Sequence, residues 1–204
     1  LPEAAAFRRA VRDALHAASE TYFMSAARVD QPPTHTWVAE ACDALGVGLE
    51  EPLLRQITPP LFATEIDSLI CGEGTLEAVR DLHAAGYALG CVTNTLAGAG
   101  AIRAMLRRHG FDGLMRSVVV SSEEGWRKPH PSLFEKALRE LSVAPHEAVF
   151  VGDSPLHDVG GARSAGMRTV LTRQYVARLT DGFDPPDATI DHLRELRAVI
   201  ARLE

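Results

Sequence analysis

From Gly74 onward, short apolar runs alternate with amphipathic stretches of helical period, and this alternation restricts the fold more than any other feature. The runs are YALGCVT (87–93), SVVVS (117–121), AVFVG (148–152) and RTVLT (168–172). Thr75–Ala85, Ala99–His109, Pro131–Leu141 and Val159–Ala165 precede or separate them, and Leu193–Leu203 follows as a closing helix. In the third of these helices Leu133, Phe134, Ala137, Leu138 and Leu141 share one face. Gly86, Gly110 and Gly166 stand just beyond helix ends, where the chain needs a left-handed residue. Strands alternating with helices imply a parallel sheet joined by right-handed crossovers. The runs are apolar nearly throughout, so both faces of the sheet are expected to be covered and the strands buried.

Residues 1–70 have a different texture. Phe7, Val11, Leu15, Ala18 and Tyr22 recur at helical steps over residues 3–23, and Pro32-Pro33 breaks the pattern. Thr36 is a suitable cap for a second helix ending near Gly46, and a third stretch, Pro52–Thr58, is expected to stop at Pro59-Pro60. The reading is therefore a small helical unit over 1–70 followed by an α/β core over 71–204.

The chain of 204 residues carries a formal net charge of −6, which argues against a nucleic-acid partner, whose phosphates demand a basic face. A small anionic substrate stays compatible, because local charge in a cleft can oppose the global sign. The cysteines, Cys42, Cys71 and Cys91, are odd in number and form no C-x-x-C pair, so neither a disulfide framework nor a zinc site is suggested. No apolar run approaches the roughly 18 residues of a membrane span, and no signal-peptide pattern opens the chain. A cytoplasmic protein without membrane partners is the default expectation; the oligomeric state is not legible.

In open parallel sheets, ligands bind beyond the carboxyl ends of the strands. Thr93 and Asn94 follow the first run, Lys128 lies in the loop after the second, and Asp153, Ser154 and Asp158 follow the third. Singly, each has an ordinary reading: Thr93 ends a strand, Lys128 is a solvated loop lysine, and Asp158 caps the short helix behind it. Gly152-Asp153 is harder to set aside, because it puts a charge at the mouth of a buried strand. Together, a hydroxyl and an ammonium can hold a phosphate, and the carboxylates can hold a hard cation such as Mg²⁺.

These residues carry a resemblance. Thr93-Asn94 after a strand, Lys128 in K-P-x-P and VGDSPLHD (151–158) resemble three of the four motifs of the haloacid dehalogenase superfamily of hydrolases, in the family's order, over roughly 72–180. The resemblance implies a Rossmann-like three-layer sandwich with a small helical cap, here residues 1–70. It implies hydrolysis of small phosphorylated metabolites through an aspartyl-phosphate, with a second aspartate serving as acid and then base. Thr93 would bind phosphoryl oxygens, with Asn94 supporting substrate contacts. Lys128 would neutralise charge in the transition state. Asp153 would ligate Mg²⁺, and Asp158 would bind the metal's water shell or orient Lys128. The metal-free dehalogenases of the superfamily carry a Ser-Ser-Asn type segment where this chain has Gly152-Asp153-Ser154, so the phosphatase branch is expected.

The remaining motif, an apolar strand ending in D-x-D-G-T, is not found. CGEGTL (71–76) imitates it, but TEIDSLI before it is broken by charges, and Glu73 and Thr75 read as helix-start residues. In the implied fold that strand lies between those ending at Thr93 and Asp153. Without it two rows of backbone groups would go unpaired, at about 1–3 kcal/mol each where buried. A strand and nucleophilic aspartate ahead of Leu1 are therefore expected, and the chain by itself is not expected to turn over substrate. The rival readings are a binding or regulatory module that keeps the fold without catalysis, and a metal-free 2-haloacid dehalogenase. His130 and Trp126 flank Lys128 and read first as loop residues, with the cleft in reach; His157 is expected to face solvent.

Overall fold

The computed structural model describes residues 4–23, 28–175 and 184–203. Three helices open the chain: α1 (Ala4–Phe23), α2 (Thr34–Ala44) and α3 (Glu51–Ser68). Val11, Leu15, Trp37, Val38, Leu54, Phe62 and Ile66 are buried where these helices meet. The same apolar cluster runs on into Ile102, Val118 and Val120 of the α/β part, so the helices are seated on it through shared side chains.

Two expectations for this region are corrected. The second helix begins at Thr34, behind an extended Pro33, and not at a Thr36 cap. The Thr34 hydroxyl donates instead to the Leu96 carbonyl, 2.8 Å away. The third helix does not stop at Pro59-Pro60 but continues to Ser68. Two prolines remove the donors that would reach the carbonyls of Arg55 and Gln56, yet both residues are on the exposed face, where water can serve those carbonyls. Burial of Leu54, Phe62 and Ile66 on the other face holds both halves in register.

The second part alternates as expected: α4 (Thr75–Ala84), β1 (Leu89–Thr93), α5 (Ala99–Arg108), β2 (Met115–Val120), a short α6 (Ser121–Glu124), α7 (Pro131–Leu141), β3 (Val149–Gly152), α8 (Gly161–Ser164), β4 (Arg168–Thr172), β5 (Ala188–Ile190) and α9 (Leu196–Leu203). β5 has only 3 residues, too few to read as a strand from the sequence. Ser121, expected to close the second strand, instead opens α6.

All strand pairs among the described residues are parallel, but they form two sheets, β1-β2 and β3-β4-β5. β1 and β3 each present one edge that no described strand pairs. The expected burial of every strand therefore fails at these two: β2 and β4 are almost wholly buried, while every residue of β3 and most of β1 is half-buried. Helices bridge the division. Leu133 and Ala137 of α7 pack with Val92 and Val119, while Phe134 of the same helix meets Phe150 of β3 edge-on at 4.9 Å. Leu82 of α4 joins Leu89 of β1 to Val149, Val151 and Val170. Both unpaired edges thus border one place, floored by α7 and α4.

Candidate active site

β1 delivers Thr93 and Asn94 to the carboxyl edge. The Asn94 side chain grips the backbone of Lys128 at both ends: its oxygen accepts from the Lys128 N–H at 2.7 Å, and its amide donates to the Lys128 carbonyl at 3.1 Å. These two bonds fix the backbone on either side of the lysine side chain. The Thr93 hydroxyl has only a long 3.5 Å contact to the neighbouring Asn94 carbonyl. It is the site hydroxyl with donor capacity to spare.

Residues 95–99, which follow, are held from below. Ser121 Oγ accepts from the Thr95 N–H at 2.9 Å, Ser122 Oγ donates to the Ala97 carbonyl at 2.7 Å, and Glu123 accepts from the Ala99 N–H at 2.7 Å. Buried Gln31 donates to the Thr95 carbonyl at 2.9 Å. The segment before α2 also pairs with the lysine loop: Gln31 N–H donates to Gly125 O and Arg127 N–H to Val29 O. The exposed Trp126 side chain stacks on His130 at 4.1 Å between ring centres.

So fixed, the Lys128 side chain runs inward. Its ammonium donates to Asp158 Oδ1 at 2.6 Å and to the Val92 carbonyl at 3.0 Å, with the Phe150 ring centre 5.4 Å away. The pair is well shielded, at 12% and 5% side-chain exposure, so it is a buried ion pair and not a solvated contact.

Both oxygens of Asp158 are engaged. Its second oxygen accepts from the backbone N–H groups of Asp153 at 3.1 Å and Ser154 at 3.0 Å. One carboxylate therefore ties the lysine to the strand tip that carries Asp153. These bonds are compatible with the orienting role that the resemblance implied, and the carboxylate keeps acceptor capacity for the other, toward a metal's water shell. Gly152 makes the approach possible, because a Cβ there would overlap the Asp158 carboxyl group. Asp153, by contrast, has no hydrogen bond or ion pair from its carboxyl group among the described residues. Asp158 and Asp153 thus divide their labour: the first is neutralised by Lys128 and backbone donors, the second is left at the mouth.

His157 is half-buried rather than solvent-facing. Its N–H and Nδ1 meet Ser154 Oγ at 3.1 Å, and Nε2 lies 3.5 Å from the guanidinium of Arg127. Burial and then the Arg127 charge push its pKa below the ordinary value, against the smaller pull of Asp158. Arg127, 1% exposed, went unnoticed in the sequence, where it is one of two adjacent cations in an otherwise polar loop. Burial also raises the Cys91 thiol above its usual range, more than nearby Lys128 and Arg103 lower it, in keeping with a packing role.

No cluster of three His, Cys, Asp or Glu side chains suited to a metal exists among the described residues. The donor chemistry nonetheless fits Mg²⁺, which keeps several waters and is often bound through one or two carboxylates and a substrate phosphate. Asp153 is the available carboxylate. No described helix is long and apolar enough to cross a membrane.

Thr93 at the tip of β1, Lys128 in the loop beyond α6 and Asp153 beyond β3 thus lie along one edge, around the Lys128–Asp158 pair. The chain belongs to the haloacid dehalogenase-like hydrolase family, whose model matches residues 61–172. Over 133 residues it is 41% identical to a glyceraldehyde 3-phosphate phosphatase of Methanopyrus kandleri, a stretch covering 63% of this chain and 54% of that protein. Over 79 residues it is 46% identical to a phosphoserine phosphatase of Thermus thermophilus, covering 39% of this chain and 31% of that one. At best, the chain spans little more than half the length of these two curated relatives. Among solved structures it resembles a HAD phosphatase from Thermococcus onnurineus (26% identity, TM-score 0.64, 95% of this chain and 88% of that one). A 2-haloacid dehalogenase from Pseudomonas syringae, at 24% identity and TM-score 0.67 over 100% of this chain and 83% of that one, shares the fold.

Proposed function

We propose that this chain forms the larger part of a Mg²⁺-dependent phosphatase of small phosphate monoesters, working through an aspartyl-phosphate. The observation that carries the reading is the buried Lys128–Asp158 pair beside an uncommitted Asp153 carboxylate. A lysine anchored from three sides cannot swing toward solvent, so its charge stays aimed at the reacting centre, where transition-state charge is stabilised without reorganisation. Thr93, its hydroxyl unspent, binds a phosphoryl oxygen. Asn94 acts through Lys128 as a positioning residue. Asp153 holds the metal, which when bound would neutralise phosphate charge. Residues 1–70 serve as a cap limiting which esters reach the site.

In this reading Asp153 is taken by the metal and Asp158 by Lys128 and two backbone donors, so neither attacks phosphorus. The nucleophile and the acid–base aspartate belong to a strand outside these 204 residues, and the unpaired edges of β1 and β3 support its place between them. The two curated relatives cited above are both phosphatases, which supports the substrate class.

The test is hydrolysis of p-nitrophenyl phosphate and a panel of metabolite esters by the polypeptide that carries the additional strand, with Mg²⁺ or with EDTA. Turnover that needs the metal and disappears in Lys128→Met is expected. Absence of turnover on every ester overturns the reading, and halide release from a 2-haloacid without metal replaces it with a dehalogenase.

A further inference from the structure

We infer that Gln31 reads the leaving group: its side-chain oxygen accepts a hydrogen bond from a hydroxyl on the substrate, which selects phosphate esters of hydroxyl-bearing alcohols over their plain alkyl counterparts. The inference rests on the proposed function for the phosphate and adds the chemistry of the group attached to it.

The segment 29–34 is stitched to the two loops that build the site. Arg127 N–H donates to the Val29 carbonyl at 2.7 Å, and Gln31 N–H donates to the Gly125 carbonyl at 2.8 Å, which holds the stretch leading into Lys128. The Gln31 side-chain amide donates to the Thr95 carbonyl at 2.9 Å, and the Thr34 hydroxyl to the Leu96 carbonyl at 2.8 Å, which holds the stretch leaving Thr93 and Asn94. The same two stretches are clamped to each other where Asn94 grips the Lys128 backbone. Gln31 is therefore a second crosslink between them, one residue beyond Asn94 on the first and three before Lys128 on the second. It belongs to the helical part of the chain, yet its side chain is lodged at the carboxyl edge.

One atom of this seam has no partner. Gln31 is 1% exposed, and its Oε1 accepts no hydrogen bond among the described residues. The bond to the Thr95 carbonyl fixes which end of the carboxamide is nitrogen, because exchanging the two ends would set oxygen against oxygen. Oε1 thus faces away from Thr95 as a shielded acceptor, and a buried acceptor left unmet is costly. A donor that arrives with the substrate accounts for keeping it there. A site built to hydrogen-bond a hydroxyl also rejects the analogue that lacks one, since the acceptor then stays unmet.

Charge decides the kind of donor. Buried Arg127 and Lys128 put two cations on the loop that Gln31 grips, and Asp158 answers the second of them. A substrate ammonium would be stripped of water and repelled there, and a neutral carboxamide gives it no counter-charge. A hydroxyl incurs neither penalty.

The experiment uses the polypeptide of the phosphatase assay and three esters of matched size: ethyl, 2-hydroxyethyl and 2-aminoethyl phosphate. In the unaltered enzyme kcat/KM should be about tenfold higher for the hydroxyethyl than for the ethyl ester, for one hydrogen bond to an otherwise unmet acceptor, with the aminoethyl ester no better than the ethyl. Gln31→Met keeps the length of the side chain and removes the acceptor, so the hydroxyethyl-to-ethyl ratio should fall to about one. The ratio compares two esters on one variant, so lost stability or a lost Thr95 bond cancels. Gln31→Glu keeps an acceptor and adds a charge, and should raise the aminoethyl ester relative to the hydroxyethyl. Dissociation constants of 2-hydroxyethylphosphonate and ethylphosphonate, by calorimetry with Mg²⁺, give the hydroxyl preference without turnover. A ratio near one in the unaltered enzyme, an unchanged ratio in Gln31→Met, or a preference for the aminoethyl ester in the unaltered enzyme overturns the inference; in the first two cases water alone meets Oε1. Turnover of the esters without discrimination leaves the proposed function standing. A hydroxyl preference in phosphonate binding with no ester hydrolysed refutes the proposed function and keeps the role of Gln31. Binding of neither phosphonate and hydrolysis of no ester would sink both.

Discussion

Gly152→Ala is the sharpest probe of the site. Gly152 ends β3, and an added Cβ would fall on the Asp158 carboxyl carbon, one of its oxygens and its Cβ, well inside contact distance. Asp158 is 4% exposed and cannot retreat without giving up its bonds to Lys128 Nζ at 2.6 Å and to the N–H groups of Asp153 and Ser154 at 3.1 and 3.0 Å. Charge-assisted bonds contribute about 1.5–3 kcal/mol each, and a displaced carboxylate regains part of that from water. A net loss of about 3 kcal/mol follows, or about 6–12 °C in Tm for a domain of this size. Gly100 is the control. It lies in α5 with a φ that suits any residue and nothing within 4 Å of an added Cβ, so Gly100→Ala should stabilise by about 0.5–1 kcal/mol. Thermal unfolding by circular dichroism compares the two, and amide chemical shifts of Lys128, Asp153 and Ser154 locate the damage. If Gly152→Ala unfolds with Gly100→Ala, or those three amides keep their shifts, the reasoning from close approach is wrong.

Lys128→Met strands the Asp158 carboxylate in a shielded position and should cost about 3 kcal/mol by urea unfolding, the strength expected when one member of a buried pair is removed. Asn94→Ala removes both clamps on the Lys128 backbone; a loss of about 2 kcal/mol is expected, and in the strand-completed enzyme kcat should fall more than KM rises, a split a merely structural defect would not produce. Asp153→Asn should change Tm by less than about 1 °C but remove any rise in Tm on adding Mg²⁺, since its carboxyl group makes no protein bond to lose. Asp187 provides a pH prediction. Burial raises its pKa, but the Thr169 N–H and hydroxyl, with Arg163, lower it further, so the folded value lies below the ordinary carboxylate value of about 3.9. Its contribution is complete above that ordinary value and disappears as pH falls through the depressed one, so Thr169→Val should flatten the urea midpoint's pH dependence in that acidic window and leave its slope near neutrality unchanged.

How much of this was legible beforehand depends on the range of the forces involved. α7 and β4 stand at the residues their patterns mark, because an apolar face repeated at 3.6 or a short run rich in β-branched residues is a local property of the chain. Lys128, Asp153 and Asp158 were readable as one group because parallel topology brings strand tips to a common edge whatever lies between them. Pro59-Pro60 misled for the complementary reason: their local cost is outweighed by Leu54, Phe62 and Ile66 packing on α2 and α5, a gain no window of sequence contains.

The sequence alone determined the type of fold, the order of its elements and which residues meet at its carboxyl edge. It left open how those residues share their bonds. Only the folded chain closes Asn94 on the Lys128 backbone, engages both oxygens of Asp158 while leaving Asp153 uncommitted, and buries Arg127 against His157. Hydrogen bonds and ion pairs depend on tenths of an ångström between groups dozens of residues apart. Periodicity, which acts along a single turn or strand, carries no record of them.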